Sequence, residues 1–156
     1  MTTKKRYIDD IRLHVTEILR QMAKDDWKPD YVVGLTRGGL YPAILISEYL
    51  EIPMHTLKVS FREGREDCDH NDWMPSDVKM GKRVLIVDDI NDTGRTINWI
   101  ANDWNIPKHW NKDLRLAVLV DNSASDAIIK VDYTAEVIDK DAEPEWICYP
   151  WEEWWL

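Results

Sequence analysis

The chain has 156 residues, 44% hydrophobic and 31% charged, which suits one globular domain with a real core. A formal net charge of −9 argues against non-specific nucleic-acid binding, which relies on clustered Lys and Arg, so no nucleic-acid partner is expected. No apolar run approaches the ~20 residues that span a bilayer, "MTTKKRYIDD" lacks a signal peptide's apolar stretch, and Cys68 and Cys148 make no disulfide framework; a soluble cytoplasmic protein with free thiols and no membrane contact is expected.

In chain order, residues 4–24 carry Ile8, Ile11, Val15, Ile18, Leu19 and Met22 at three- and four-residue spacing, which predicts an amphipathic helix. "DYVVGL" (30–35) is too short for a stable helix and reads as a buried strand. After "TRGGL", "YPAILISEYL" (41–50) reads as a helix with Pro42 in its first turn. "MHTLKVS" (54–60) reads as a second strand, and 61–80 as a polar, irregular and functional or mobile loop. "KRVLIVDD" (82–89) is the clearest buried strand, followed by a helix over 95–104. Strands are expected over 114–121 and, more weakly, over 132–139; an aromatic tail, "EPEWICYPWEEWWL", closes the chain.

Alternating helices and continuous apolar strands predict an α/β fold, a mainly parallel twisted sheet flanked by helices. No linker, internal repeat or second domain is evident, so residues 1–156 are expected to form one domain. Ligands in such folds bind beyond the carboxyl ends of the strands, where "TRGG" and "DDINDTGRT" both fall.

The loop "DTGRT" opens a helix, so backbone N–H groups and the positive end of the helix dipole face outward. With Gly94 for close approach and the hydroxyls of Thr93 and Thr96, it forms a small phosphate cradle. Alone it also reads as a capping turn with Asp92 or Thr93 as N-cap. Asp88 and Asp89 end an apolar strand, where they can accept hydrogen bonds from sugar hydroxyls or hold Mg²⁺. In "TRGG", Gly38 and Gly39 permit a turn closed to residues with a Cβ and leave N–H groups for an anion, and Arg37 offers a fork for phosphate oxygens. Together these pieces suit a phosphorylated sugar with a second phosphate group. No Walker A pattern and no strand-following G-x-G-x-x-G is present.

"VLIVDDINDTGRT" resembles the phosphoribosyl-diphosphate (PRPP) signature of type I phosphoribosyltransferases. "GLTRGGLYPA" resembles the pyrophosphate loop of the bacterial xanthine-guanine and hypoxanthine branch, and "EWICYPWEE" that branch's closing segment. The resemblance implies a core over about 1–140 and a C-terminal hood over about 141–156 that covers the base. It also implies that PRPP and a 6-oxopurine are the substrates, with Mg²⁺, in purine salvage. Asp88 and Asp89 would bind the ribose hydroxyls and metal, Asp92 to Thr96 (with Thr93, Gly94 and Arg95) the 5′-phosphate, and Thr36, Arg37, Gly38 and Gly39 the pyrophosphate. Asp92 would be the general base, Trp146 would stack on the purine, and Ile147 would read the ring edge through its backbone. Residues 61–77, entered through Ser60-Phe61 where the family has Ser-Tyr, would be a lid.

The branch carries Lys-Pro after the strand corresponding to "LRLAVLV", its lysine reading the 6-oxo group; here Asp121 and Asn122 stand there. Asn122 through its amide, Lys130 swinging in, or a base with an amino group would each resolve the mismatch. The resemblance leaves a second expectation, a non-catalytic PRPP-binding regulator on the same fold. A phosphoacceptor receiver domain also places acids at strand ends but has no use for "DTGRT" or "TRGG". Cys68-Asp69-His70 lacks the second half of a zinc pattern and reads as a polar loop. Trp27, Trp99, Trp104 and Trp110 are expected to fill core or interface gaps. Some of Trp151, Trp154 and Trp155 should bury against the N-terminal helix or another subunit of a homo-oligomer, a dimer or tetramer.

Overall fold

The computed structural model describes residues 3–107 and 113–156. His109 and Trp110 lie outside them. The elements run β1 (Lys4–Tyr7), α1 (Arg12–Lys24), β2 (Tyr31–Thr36), α2 (Leu40–Leu50), β3 (Met54–Ser60), β4 (Asp67–Cys68), α3 (Trp73–Lys79), β5 (Val84–Asn91), α4 (Arg95–Asp103), β6 (Leu114–Asn122), β7 (Tyr133–Ile138) and β8 (Glu145–Cys148), with a 3-10 turn at Arg62–Gly64.

Six strands form one sheet in the order β4-β3-β2-β5-β6-β7, and every pairing but the short β3–β4 edge is parallel. The apolar strand runs follow from burial on both faces. One face packs Val32, Leu85, Val87 and Leu119 against Val15, Ile18 and Met22 of α1 and Ala43 and Ile46 of α2. The other packs Val33, Ile86, Leu116 and Val118 against Ile97, Ile100 and Ala101 of α4 and Met74 of α3. From β2 the chain steps outward to β3, then returns to place β5 on β2's other side, so the order reverses between β2 and β5. A sheet opens a crevice at such a switch point. Among the described residues, no helix is long and apolar enough to cross a membrane.

Two segments differ from the sequence expectation. Residues 4–7 form a strand parallel to β8, with Arg6 opposite Ile147, instead of the first turn of a helix. The Arg6 guanidinium donates to Glu145 (3.3 and 3.0 Å) and Glu136 (3.1 Å), tying this strand to distant acids. The helix starts later, where the Arg12 N–H donates to the Asp10 carboxylate at 2.9 Å. Residues 61–80, expected as irregular loop, contain β4 and α3. The Met74 N–H donates to Asn71 Oδ1 at 2.8 Å, Pro75 sits in the helix's first turn, and Met74 is buried in the core.

Trp27 and Trp104 are buried as expected, whereas Trp154 and Trp155 stand exposed. Trp151 stacks flat on Tyr149 (ring centroids 4.9 Å apart) and lies 6.2 Å from Tyr41. The Tyr149 hydroxyl donates to the Asp89 carbonyl at 3.1 Å, so the aromatic tail is fastened to the end of β5.

Candidate active site

A cavity of about 750 Å³ opens at the β2–β5 switch point. Thr36, Arg37 and Gly38 line one side, Asp88, Asp89 and Asp92 the floor, and Thr93, Gly94, Arg95 and Thr96 the other side. Lys58, Phe61, Arg62 and Arg65 close it from the β3–β4 segment. The two loops that the sequence pattern singles out therefore meet in one space. The surrounding cations explain how a strongly acidic chain could hold an anion.

The acid pair lies within β5, which continues to Asn91 instead of ending at Asp89. Both aspartates nonetheless reach the cavity. The Asp89 N–H donates to Asp88 Oδ1 (2.9 Å) and the Ile90 N–H to Asp89 Oδ1 (2.7 Å). Burial, reinforced by the charge of Asp89, pushes the Asp88 carboxyl well above the usual carboxylate range. Burial raises Asp89 as well, and the Arg62 charge opposes that rise. A cation or a pair of hydroxyl donors here would stabilise the charged forms. Among the described residues no group of three or more His, Cys, Asp or Glu could hold a metal by itself. Two carboxylates suit Mg²⁺ that brings its own waters and phosphate ligands.

The glycines act differently from the sequence reading. A Cβ on Gly39 would collide with the Val87 carbonyl oxygen, and one on Gly38 with the Asp89 carboxylate. Gly39 has ordinary helical dihedrals, so close approach to β5 is what excludes a side chain there. Its N–H donates to the Leu35 carbonyl at 2.7 Å and is not free for an anion, contrary to expectation. The Thr36–Arg37 peptide is cis.

In the second loop Gly94, at φ 90°, holds the N-cap position of α4 in place of Asp92 or Thr93, and the Thr93 hydroxyl accepts from the Arg95 N–H at 3.2 Å. A Cβ on Gly94 would strike the Ala127 backbone. The loop is braced from behind, the Asp126 N–H donating to the Thr93 carbonyl at 2.9 Å. Arg95 stacks over the Phe61 ring (4.3 Å to its centroid), joining the phosphate-type loop to the segment that closes the cavity.

The residues expected to meet a base, Trp146, Ile147, Asp121 and Asn122, do not line this cavity. Ile147 is buried, its side chain in the core, which leaves only its backbone for a ligand. Trp146 is 52% exposed and open to stacking. Asn122 is buried, and its amide ties neighbouring loops together. Its Nδ2 donates to the Asp92 carbonyl (2.8 Å), and its Oδ1 accepts from the Ala124 (3.2 Å) and Lys140 (3.0 Å) N–H groups. Asn122 thus braces the Asp92 loop against the segment at Lys140. Asp121 Oδ1 accepts from Asn91 Nδ2 at 2.8 Å.

Sequence reasoning missed Lys140. Its Nζ lies 2.8 Å from Asp92 Oδ1 and 5.5 Å from the Trp146 ring centroid. A lone lysine in "IDKDAE" carries no pattern, and only the fold brings it to Asp92.

The fold and the cavity define an α/β protein with a Gly-rich turn, an acid pair and a helix-terminal loop converging at a switch point. The phosphoribosyl transferase domain matches residues 6–153, and the chain belongs to that family. It is 32% identical over 146 residues to the bifunctional protein PyrR of Streptococcus uberis, covering 86% of this chain and 83% of that protein. It is 28% identical over 134 residues to the xanthine-guanine phosphoribosyltransferase of Desulfotalea psychrophila, covering 85% and 75%. The purine phosphoribosyltransferase of Pyrococcus horikoshii superposes with a TM-score of 0.68 at 29% identity, over 96% of this chain and 95% of that one.

Proposed function

We propose that the chain transfers the ribose 5-phosphate of PRPP to a 6-oxopurine (hypoxanthine, guanine or xanthine) and releases pyrophosphate, as a purine-salvage enzyme of the cytoplasm. The observation that carries this reading is the convergence of the Thr36–Gly38 turn, the Asp88-Asp89 pair and the Asp92–Thr96 loop on one cavity.

In this reading the N-terminus of α4, with Thr93 and Thr96, holds the 5′-phosphate. Asp88 and Asp89 face the ribose hydroxyls. Arg37 and the turn through Thr36 and Gly38 hold the pyrophosphate, helped by Arg62 and Arg65 from the closing segment. Mg²⁺ carried in with PRPP would neutralise charge on the departing pyrophosphate. As the C1–O bond breaks, positive charge grows on the sugar and negative charge on the leaving group, which the cationic wall stabilises. The base nitrogen forms the new bond to C1, and Asp92 takes its proton. Trp146 stacks on the base, within a hood of residues 141–156 on a single domain. Phe61 and its neighbours exclude water as a lid. The exposed Trp154, Trp155 and Leu156 would bury in a homo-oligomer, a dimer or tetramer.

The similarity to PyrR favours a second reading, a PRPP-binding regulator on the same fold. A turnover screen separates the two, using PRPP and Mg²⁺ with hypoxanthine, guanine, xanthine, adenine and uracil. Nucleotide from a 6-oxopurine is the expected result. PRPP binding without product from any base supports the regulator instead, and product from uracil alone removes the purine assignment.

A further inference from the structure

Arg95, Trp99 and Asp103 recur at four-residue intervals along α4, so they share one stripe of the helix surface. Each meets a side chain from the segment that closes the cavity. Arg95 lies over the Phe61 ring. The His70 ring packs against Trp99, with centroids 5.3 Å apart, and its Nδ1 donates to Asp103 Oδ1 at 2.5 Å. The Asp103 side chain is only 17% exposed, which gives His70 a fixed acceptor. An exposed ion pair by itself contributes little; this one is joined to a ring contact on the same helix. None of residues 62–73 is buried, and β4 pairs with β3 over only two residues. So short a ladder leaves the tilt of the hairpin open, and contact with α4 sets the angle at which it lies over the cavity.

We infer that His70 is a positioning residue for the proposed reaction: docked on Trp99 and Asp103, it seats the hairpin so that Phe61, Arg62 and Arg65 close the cavity. The inference rests on the transferase reading and deepens it. The helix that receives His70 begins at the loop assigned to the 5′-phosphate, so one rigid element carries both the phosphate seat and the lid seat. Closure matters because water competes with the base at C1 of the ribose. Water would add to C1, pyrophosphate would leave, a proton would be released, and ribose 5-phosphate would be the product. A hairpin that leaves α4 admits water and withdraws Arg62 and Arg65 from the pyrophosphate. The Cys68-Asp69-His70 run, which makes no zinc pattern, thereby has a use.

The test uses the full chain, with His70→Ala, His70→Asn and Asp103→Ala beside wild type. Hydrolysis of PRPP and transfer to hypoxanthine are measured together, with amide hydrogen exchange over residues 62–70 in the presence of Mg²⁺ and PRPP. His70→Ala should raise the PRPP KM and the ratio of hydrolysis to transfer by about 5–10-fold, the scale of one ring contact plus one partly exposed ion pair. Asp103→Ala should act in the same direction. His70→Asn, whose amide can donate in place of Nδ1, should recover part of the loss. The 62–70 amides should exchange faster in both alanine variants at an unchanged melting temperature. A His70→Ala protein with the wild-type PRPP KM and hydrolysis ratio would overturn the inference, as would a loss that His70→Asn does not lessen. A wild type that binds PRPP but turns over no base sinks the transferase reading. Exchange over 62–70 then decides the lid seat separately: faster exchange in His70→Ala upholds it, and unchanged exchange overturns it.

Discussion

Gly39→Ala tests the packing of the Thr36–Gly39 turn against β5. The added Cβ would overlap the Val87 carbonyl oxygen and sit 2.9 Å from both the N and O of Leu35. All three atoms are backbone of buried strands, so no side chain can swing away. Overpacking of a rigid site costs about 1–3 kcal/mol. Stretching the Gly39 N–H to Leu35 carbonyl bond, 2.7 Å in the native turn, adds about 1 kcal/mol. The alanine's reduced unfolded-state freedom returns about 0.4–1 kcal/mol. The net destabilisation is about 2–3 kcal/mol, which at this chain length lowers the melting temperature by roughly 5–10 °C. Thermal unfolding followed by circular dichroism reads this directly, with PRPP affinity by calorimetry beside it. The account expects both to fall, because α2 must shift and carry the Arg37–Gly38 turn with it. A variant melting within about 2 °C of wild type would refute the close-approach argument, since the clash alone predicts more.

Asp92→Asn should reduce turnover by about 10²–10⁴-fold while PRPP still binds; near-normal activity removes Asp92 from the role of base. Asp88→Asn removes a buried charge that the fold disfavours. Because the native Asp88 pKa is raised, wild type gains stability relative to the variant as pH falls through that raised value. The variant should therefore be the more stable at neutral pH, with the gap closing in acid, by urea titration at several pH values. The same shift predicts that Mg²⁺-PRPP affinity weakens as pH falls through the Asp88 range, as protons compete with the ligand for the carboxylate. Asn122→Ala leaves two N–H groups and a carbonyl without their bonds and should cost about 2–4 kcal/mol, with base KM rising more than PRPP KM.

The sheet was legible because its strands are locally marked. "VLIV" and "LRLAVLV" are buried on both faces and show it as unbroken apolar runs, and "DTGRT" announces a strand-to-helix turn. What the sequence hid depends on distant partners. "KKRY" has no apolar alternation, and its strand exists because β8, more than a hundred residues later, lies alongside. Residues 73–79 look polar, yet the single buried side chain of Met74 anchors a helix there. At the site the residues of the Thr36–Gly38 turn and the Asp92–Thr96 loop were marked by local turn chemistry. The contacts of Asn122 and Lys140 with Asp92 were not, because they form only once β6 and the β7–β8 segment close on that loop.

The most direct test follows the ribose itself. PRPP labelled in its ribose is incubated with the protein, Mg²⁺ and one 6-oxopurine, and products are separated and identified by mass. The account predicts label in a nucleoside 5′-monophosphate with one pyrophosphate released for each nucleotide formed. Label remaining in PRPP, or recovered only as free ribose 5-phosphate with every base supplied, would contradict it.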